Sequence, residues 1–172
     1  MALTKVNFFI MEIIIEGCDG IGKTSVIERL RRKYSCDVLW MCNGDKTIRG
    51  FEEKAKLHNI ISDRSFLSEW VYSKVFNRKT ELTKIWMDWL LDYEYNKYKV
   101  FVLVADPNVI MERISKRGTD SEDYESIIKL NQAYKKLGED YPNRINVIDT
   151  TNLTEEQVFE AIVNKITQID ES

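Results

Sequence analysis

Apolar runs and helix-period stretches alternate from residue 12 to the end of the chain, a pattern that predicts parallel strands joined by crossover helices. Residues 12–16 form a short β-branched run suited to a central strand, and it stops at a glycine-rich segment from Gly17 to Gly22. A helix opens near Lys23, with Val26, Ile27 and Leu30 on one face. Residues 37–42 predict a second strand, followed by the loop Asn43-Gly44-Asp45 and a short polar helix over about 50–58. Residues 59–62 give a third strand ending at Asp63, and helices follow over about 66–76 and 82–97. The run 100–105 is the clearest buried strand, and Asp106-Pro107 then caps a helix with proline as its first residue. A helix over 124–137, a strand over 145–148 and a final helix capped by Thr154 complete a three-layer α/β domain with five strands.

Composition narrows this picture. The 172 residues fit one domain with a real core, and with only 7 Gly and 2 Pro no linker or low-complexity segment divides it. The formal net charge of −3 excludes a global attraction to nucleic acid or anionic membrane, so any polyanion site is local. Cys18, Cys36 and Cys42 form no CxxC pair and His58 is the lone histidine, which argues for a reduced, cytoplasmic protein without a zinc centre. Glu12 interrupts the N-terminal apolar stretch, which does not read as a signal peptide, and no run approaches the ~20 apolar residues of a membrane span.

The chemistry starts at Gly17-Cys18-Asp19-Gly20-Ile21-Gly22-Lys23-Thr24, which satisfies G-x-x-x-x-G-K-[ST] between a predicted strand and a predicted helix. Its glycines let the backbone wrap phosphate oxygens, and the helix N-terminus adds positive potential. Lys23 reaches the outer phosphates and the Thr24 hydroxyl serves Mg²⁺. A nucleotide-binding loop spanning Gly17, Asp19, Gly20, Ile21, Gly22, Lys23, Thr24 and Ser25 follows, with ATP and Mg²⁺ as cofactors.

Taken with Glu16, this segment resembles the EGxDGxGKT signature of thymidylate kinases within the P-loop nucleoside and nucleotide kinases. Asp63-Arg64 with Ser68 and Tyr72 is similar to the family's DRY…S…Y segment, and Asp106-Pro107 with Glu112 to Gly118 resembles its strand, helix and lid. The resemblance implies strand order 2-3-1-4-5, a lid at about 113–123, and a homodimer through the helices after the third strand. Three departures fall on the acceptor side. The region before Asp63 is short and lacks an Arg-Glu-Pro segment. The lid reads Asp120-Ser121-Glu122 without an arginine, and Asp63-Arg64-Ser65 is also similar to the acid-Arg-Ser triplet of deoxynucleoside kinases.

Phosphoryl transfer depends mostly on alignment and on neutralising the moving group. Lys23, Arg64, Arg117 and Asp63 are the candidate catalytic residues, with Arg64 bridging donor and acceptor through its planar fork of donors. Thr24 and Asp63 are the candidate metal ligands; a helix N-cap is the lesser alternative for Asp63, and the two roles are compatible. Arg113 and Arg117, four residues apart, share a helix face that can close over the donor phosphates. The acceptor set is Asp19, Asp45, Arg64, Phe66, Ser68 and Tyr72, with Phe66 or Tyr72 placed to stack on a base. The function that results is phosphoryl transfer from ATP to a deoxynucleoside monophosphate. The alternative acceptor is a hydroxyl, of a deoxynucleoside or of a modified base such as hydroxymethyluracil in DNA. Asp45 would then be the base, and Lys46, Arg49, Lys54 and Lys56 would supply local positive charge.

Overall fold

In a computed structural model of the protein, described for residues 11–41, 46–118 and 123–171, five parallel strands are ordered β2-β3-β1-β4-β5. They are β1 (Glu12–Glu16), β2 (Asp37–Trp40), β3 (Ile60–Asp63), β4 (Lys99–Val104) and β5 (Ile145–Asp149). The central β1 is buried along its whole length, because its Ile13-Ile14-Ile15 run meets helices on both faces of the sheet. The outer β2 and β5 are partly exposed, and Trp40 at the end of β2 stands open. Register pairs Ile15 with Asp63 and Glu16 with Val102, so the carboxyl ends of three neighbouring strands meet at one edge. In such sheets, that edge is where ligands bind.

The helices are α1 (Lys23–Tyr34), α2 (Ile48–Ala55), α3 (Phe66–Val75), α4 (Lys84–Trp89), α5 (Pro107–Arg117), α6 (Tyr124–Asp140) and α7 (Glu155–Asp170). Thr47, Ser65, Thr83, Asp106, Asp123 and Thr154 each cap one of them by accepting a backbone N–H of the first turn. The exception is α1, which begins after Gly22 with no side-chain cap. Its first amides are left for another acceptor.

One predicted helix is corrected. Instead of a continuous helix over 82–97, α4 ends at Trp89 and continues as a π-helical turn over Leu90–Glu94. Arg144 donates to the carbonyls of Leu91 and Tyr95, and the Tyr95 hydroxyl donates to the Phe51 carbonyl at 2.7 Å. These tertiary partners take over groups that a regular helix would use internally. Among the described residues, no helix is long and apolar enough to cross a membrane.

Candidate active site

The phosphate loop is shaped by its glycines. At Gly17, φ is +141° and an added Cβ would lie 2.7 Å from the Leu103 carbonyl oxygen; at Gly20, φ is +77° and a Cβ would lie 2.4 Å from Ile114 Cγ1. Neither position accepts a side chain without displacing the β4 backbone, at Gly17, or the Ile114 side chain of α5, at Gly20. Lys23, buried at the start of α1, folds back and donates to the carbonyls of Gly17 at 3.0 Å and Cys18 at 2.9 Å. Its ammonium is 3.9 Å from Asp19 Oδ1. Burial first, then the neighbouring Arg64 charge, lowers the Lys23 pKa to about 8.

Thr24 and Asp63 line one cleft between α1 and the end of β3. Ser65, not Asp63, caps α3, so the Asp63 carboxylate is not spent on the helix. Among the described residues no donor bonds that carboxylate, and burial pushes its pKa up against the opposing pull of Lys23 and Arg64. No group of three or more His, Cys, Asp or Glu that could hold a metal occurs among the described residues. A hydroxyl and one carboxylate facing open space instead fit Mg²⁺, which keeps waters and takes phosphate oxygens as further ligands.

Arg64 follows β3 with φ of +71°, a left-handed conformation rare outside glycine. Two bonds hold it there: its N–H donates to Ile15 O at 3.0 Å, and its carbonyl accepts from Ser62 Oγ at 2.6 Å. The guanidinium bonds the Asp19 carboxylate and lies over the Tyr72 ring, 5.1 Å from its centroid. Beneath it, the fully buried Glu16 accepts from Ser65 Oγ at 2.7 Å, Ser68 Oγ at 2.6 Å and the Tyr134 hydroxyl at 3.1 Å. Burial raises the Glu16 pKa despite these donors. This network ties β1 to the first turn of α3 and to α6.

Two cavities flank the loop. One, of about 380 Å³, is lined by Asp19, Arg64, Ser68 and Tyr72, and it also receives Lys46, Glu69 and Arg78. The other, of about 360 Å³, is lined by Ile21, Gly22, Ser25, Arg113, Arg117 and Thr150. Asp19 and Arg64 therefore border the first and Ile21 and Gly22 the second, so the phosphate loop contributes to the walls of both.

Several assignments change. Phe66 is fully buried against Phe51 and Tyr95, with ring centroids 6.0 and 4.8 Å away, so its ring packs the core and does not reach a substrate base. Arg113 is not paired with Arg117: it donates to Thr150 O at 2.9 Å, Thr150 Oγ1 at 3.0 Å and Ile21 O at 3.5 Å, clamping the phosphate loop to the segment after β5. Arg117 stands exposed on the cavity rim. The Ser25 hydroxyl donates to Glu155 at 3.0 Å. Asp45 and the lid residues 119–122 lie outside the described residues.

Sequence reasoning missed Thr150, Glu69 and Arg78, and named Lys46 only as one of a group of basic residues near the acceptor. Glu69 carried a usable signal: it lies three residues after Phe66 and four before Ser73, on the buried face of α3, where an acid needs a reason. Thr150 carried none, because its role depends on a contact with α5 far away in sequence.

A family profile described as thymidylate kinase matches residues 38–162. The chain belongs to the thymidylate kinase family. The matched stretch begins at β2, so the phosphate loop stands on its own motif and geometry. Among its relatives is YorR, a prophage SPbeta-derived protein of Bacillus subtilis, 31% identical over 69% of this chain and 78% of its own length. A probable thymidylate kinase of Methanococcus maripaludis is 26% identical over 90% of this chain and 94% of its own. The YorR crystal structure, in complex with phosphorylated GDP, superposes with a TM-score of 0.81 at 23% identity, covering 94% of this chain and 99% of YorR. A deoxyadenosine kinase from M. mycoides superposes with a TM-score of 0.66 at 20% identity, covering 92% and 100%. The family member described here is thus a nucleoside or nucleotide kinase with the P-loop kinase fold.

Proposed function

We propose that this kinase transfers the γ-phosphoryl group of ATP to a deoxynucleoside monophosphate. The observation that carries the reading is Arg64, bonded to Asp19 at the edge of the 380 Å³ cavity and close enough to lower the Lys23 pKa. A fixed cation on the wall of the acceptor-side cavity, bonded to the phosphate loop and acting on Lys23, is placed to touch both phosphates at once. In the reaction, an oxygen of the acceptor phosphate forms a bond to the γ-phosphorus while the bond from that phosphorus to the β,γ-bridging oxygen breaks. The acceptor is already anionic, so no side chain has to remove a proton. Lys23 leaves the loop carbonyls for the β- and γ-oxygens, and the uncapped amides of α1 receive the donor phosphates. Thr24 and Asp63 would hold Mg²⁺, which neutralises charge on the donor phosphates when bound. Arg113 keeps Ile21 in place, Arg117 closes from the rim, and Asp19 accepts from the sugar hydroxyl of the acceptor. YorR, solved with phosphorylated GDP, supports a nucleotide in a chain folded this way.

The acid-Arg-Ser triplet Asp63-Arg64-Ser65 and the likeness to a deoxyadenosine kinase favour a second reading, with a deoxynucleoside hydroxyl as acceptor. Incubation with γ-labelled ATP and Mg²⁺ against deoxynucleosides, their monophosphates and hydroxymethyluracil-containing DNA separates the two. Label on a monophosphate supports the proposal, and label confined to a hydroxyl acceptor overturns it. Exposed Ile85 and Tyr93 on the helical stretch after β3 support self-association there, which light scattering on the purified protein checks.

A further inference from the structure

Glu16 closes β1 one residue before the phosphate loop, and no step of the proposed transfer uses it. Its side chain is fully buried, a costly place for a carboxylate, and burial raises its pKa. Three hydroxyls satisfy it, and all of them come from the acceptor side: Ser65 and Ser68 at the start of α3, and Tyr134 of α6. Ser65 and Ser68 line the 380 Å³ cavity. Tyr134 is fully buried, and its hydroxyl also lies 2.9 Å from Ser68 Oγ.

Two successive residues of β1 grip the corner that carries Arg64. The carbonyl of Ile15 accepts from the Arg64 N–H at 3.0 Å, and Glu16 Oε1 accepts from Ser65 Oγ at 2.7 Å. Ser65 Oγ in turn accepts from the Leu67 N–H at 3.2 Å and caps α3. The left-handed backbone at Arg64 is therefore followed at once by a residue anchored to the buried carboxylate. The Arg64 charge also acts on Glu16, in the direction that favours its ionised form. The other carboxylate near this guanidinium, Asp19, is half exposed and belongs to the phosphate loop, so it is free to turn to the sugar hydroxyl of the acceptor. Glu16, enclosed and bonded three times, stays where it is. Resting on the reading of Arg64 as the bridge between donor and acceptor, we propose that Glu16 is a positioning residue for phosphoryl transfer. Through Ser65 and Ser68 it holds the Arg64 corner in place, and it remains the counter-charge of Arg64 once Asp19 is engaged by substrate.

The test is a double-mutant cycle on kcat with Glu16→Gln, Arg64→Lys and the pair, using ATP and Mg²⁺ with deoxynucleoside monophosphates and deoxynucleosides both offered as acceptors. Glutamine has the same shape, its carbonyl accepts as the carboxylate does, and the hydroxyls beside its amide group can turn to accept, so the charge is what is lost. Glu16→Gln should lower kcat by about 10–100-fold, leave KM for ATP within about twofold, and melt at or above the wild type. In the Arg64→Lys background the same change should cost less than about threefold, because the group it positions is already gone. If Glu16→Gln does not fold, Tyr134→Phe replaces it in the cycle: it removes one of the three hydroxyls and leaves the carboxylate, and kcat should fall by about fivefold, again only while Arg64 is present. A merely structural Glu16 would lower the melting temperature and raise both KM values with kcat kept, and that result overturns the proposal, as does a loss that adds in full to that of Arg64→Lys. Full kcat in Glu16→Gln beside an impaired Arg64→Lys removes the positioning role alone. An unimpaired Arg64→Lys removes the bridging reading and this proposal with it, and a wild type that transfers to neither acceptor class removes the kinase reading beneath both.

Discussion

The guanidinium of Arg64 bonds the carboxylate of Asp19, and this one contact joins the end of β3 to the middle of the phosphate loop. Arg64 holds a left-handed backbone conformation to make it, with N–H and carbonyl both engaged by neighbours. Its charge is thereby placed before any substrate arrives, a form of electrostatic preorganisation.

Arg64→Lys keeps a positive charge and loses the planar fork. We expect kcat to fall by about 10³-fold, the lower end for loss of a transition-state arginine, with the fold retained by thermal melting. An unchanged kcat would remove Arg64 from the reacting centre.

Lys23 gives a pH signature. Its pKa of about 8 in the free enzyme means that the ammonium begins to lose its proton in mildly alkaline solution, while phosphate contact favours the charged form. Nucleotide binding should therefore take up a proton above about pH 8, and affinity should weaken as pH rises through that value. Calorimetry in buffers of different ionisation enthalpy measures the uptake, and Lys23→Met should abolish it. The sign for stability is also fixed: the unfolded chain, with an ordinary lysine pKa, binds more protons in this window, so the free enzyme should gain stability as pH rises through it.

Asp63 should show a trade between stability and activity. Burial raises its pKa, so the folded protein holds that proton more tightly than the unfolded chain does, and stability falls as pH rises through the folded pKa. Asp63→Asn should melt higher than the wild type at neutral pH and lose that advantage in acid, while kcat drops by about 10²-fold and the Mg²⁺ requirement rises. A variant with lower stability at neutral pH and full activity would overturn the metal assignment.

Gly20→Ala tests the packing of the loop on α5. A Cβ there meets Ile114 at 2.4 Å on a backbone with φ of +77°. Denaturant unfolding should show a loss of about 1–3 kcal/mol, together with a higher KM for ATP. Combining it with Ile114→Ala should restore part of the ATP affinity, since the clash is with that side chain.

The donor half of the site was legible because its logic is local: one strand, one loop and one helix start within thirteen residues, from Glu12 to Thr24, carry it. Strand order and the Pro107 helix start were also legible, the first through resemblance and the second because proline fits only the first turn. The acceptor half was less so. Helical spacing could not separate Phe66 from Tyr72, because α3 packs along α6 and both residues pack against the core, Phe66 fully buried and Tyr72 partly. Arg113 and Arg117 share a helix face in sequence, yet Thr150 captures only one of them. Glu69 on α3, Lys46 two residues before α2 and Arg78 shortly after α3 come from separate stretches, and only the fold shows that they converge.

Among the described residues, every α-helix but one has its first turn capped by a side chain of its own chain, and the exception is the helix that starts at Lys23. A nucleotide bound as proposed would complete the architecture as a seventh cap. At a nucleotide concentration a hundred times its dissociation constant, mass action alone would add about 2.7 kcal/mol to the folded state. Cellular nucleotide supply would in this way set how long the protein survives as well as how fast it works.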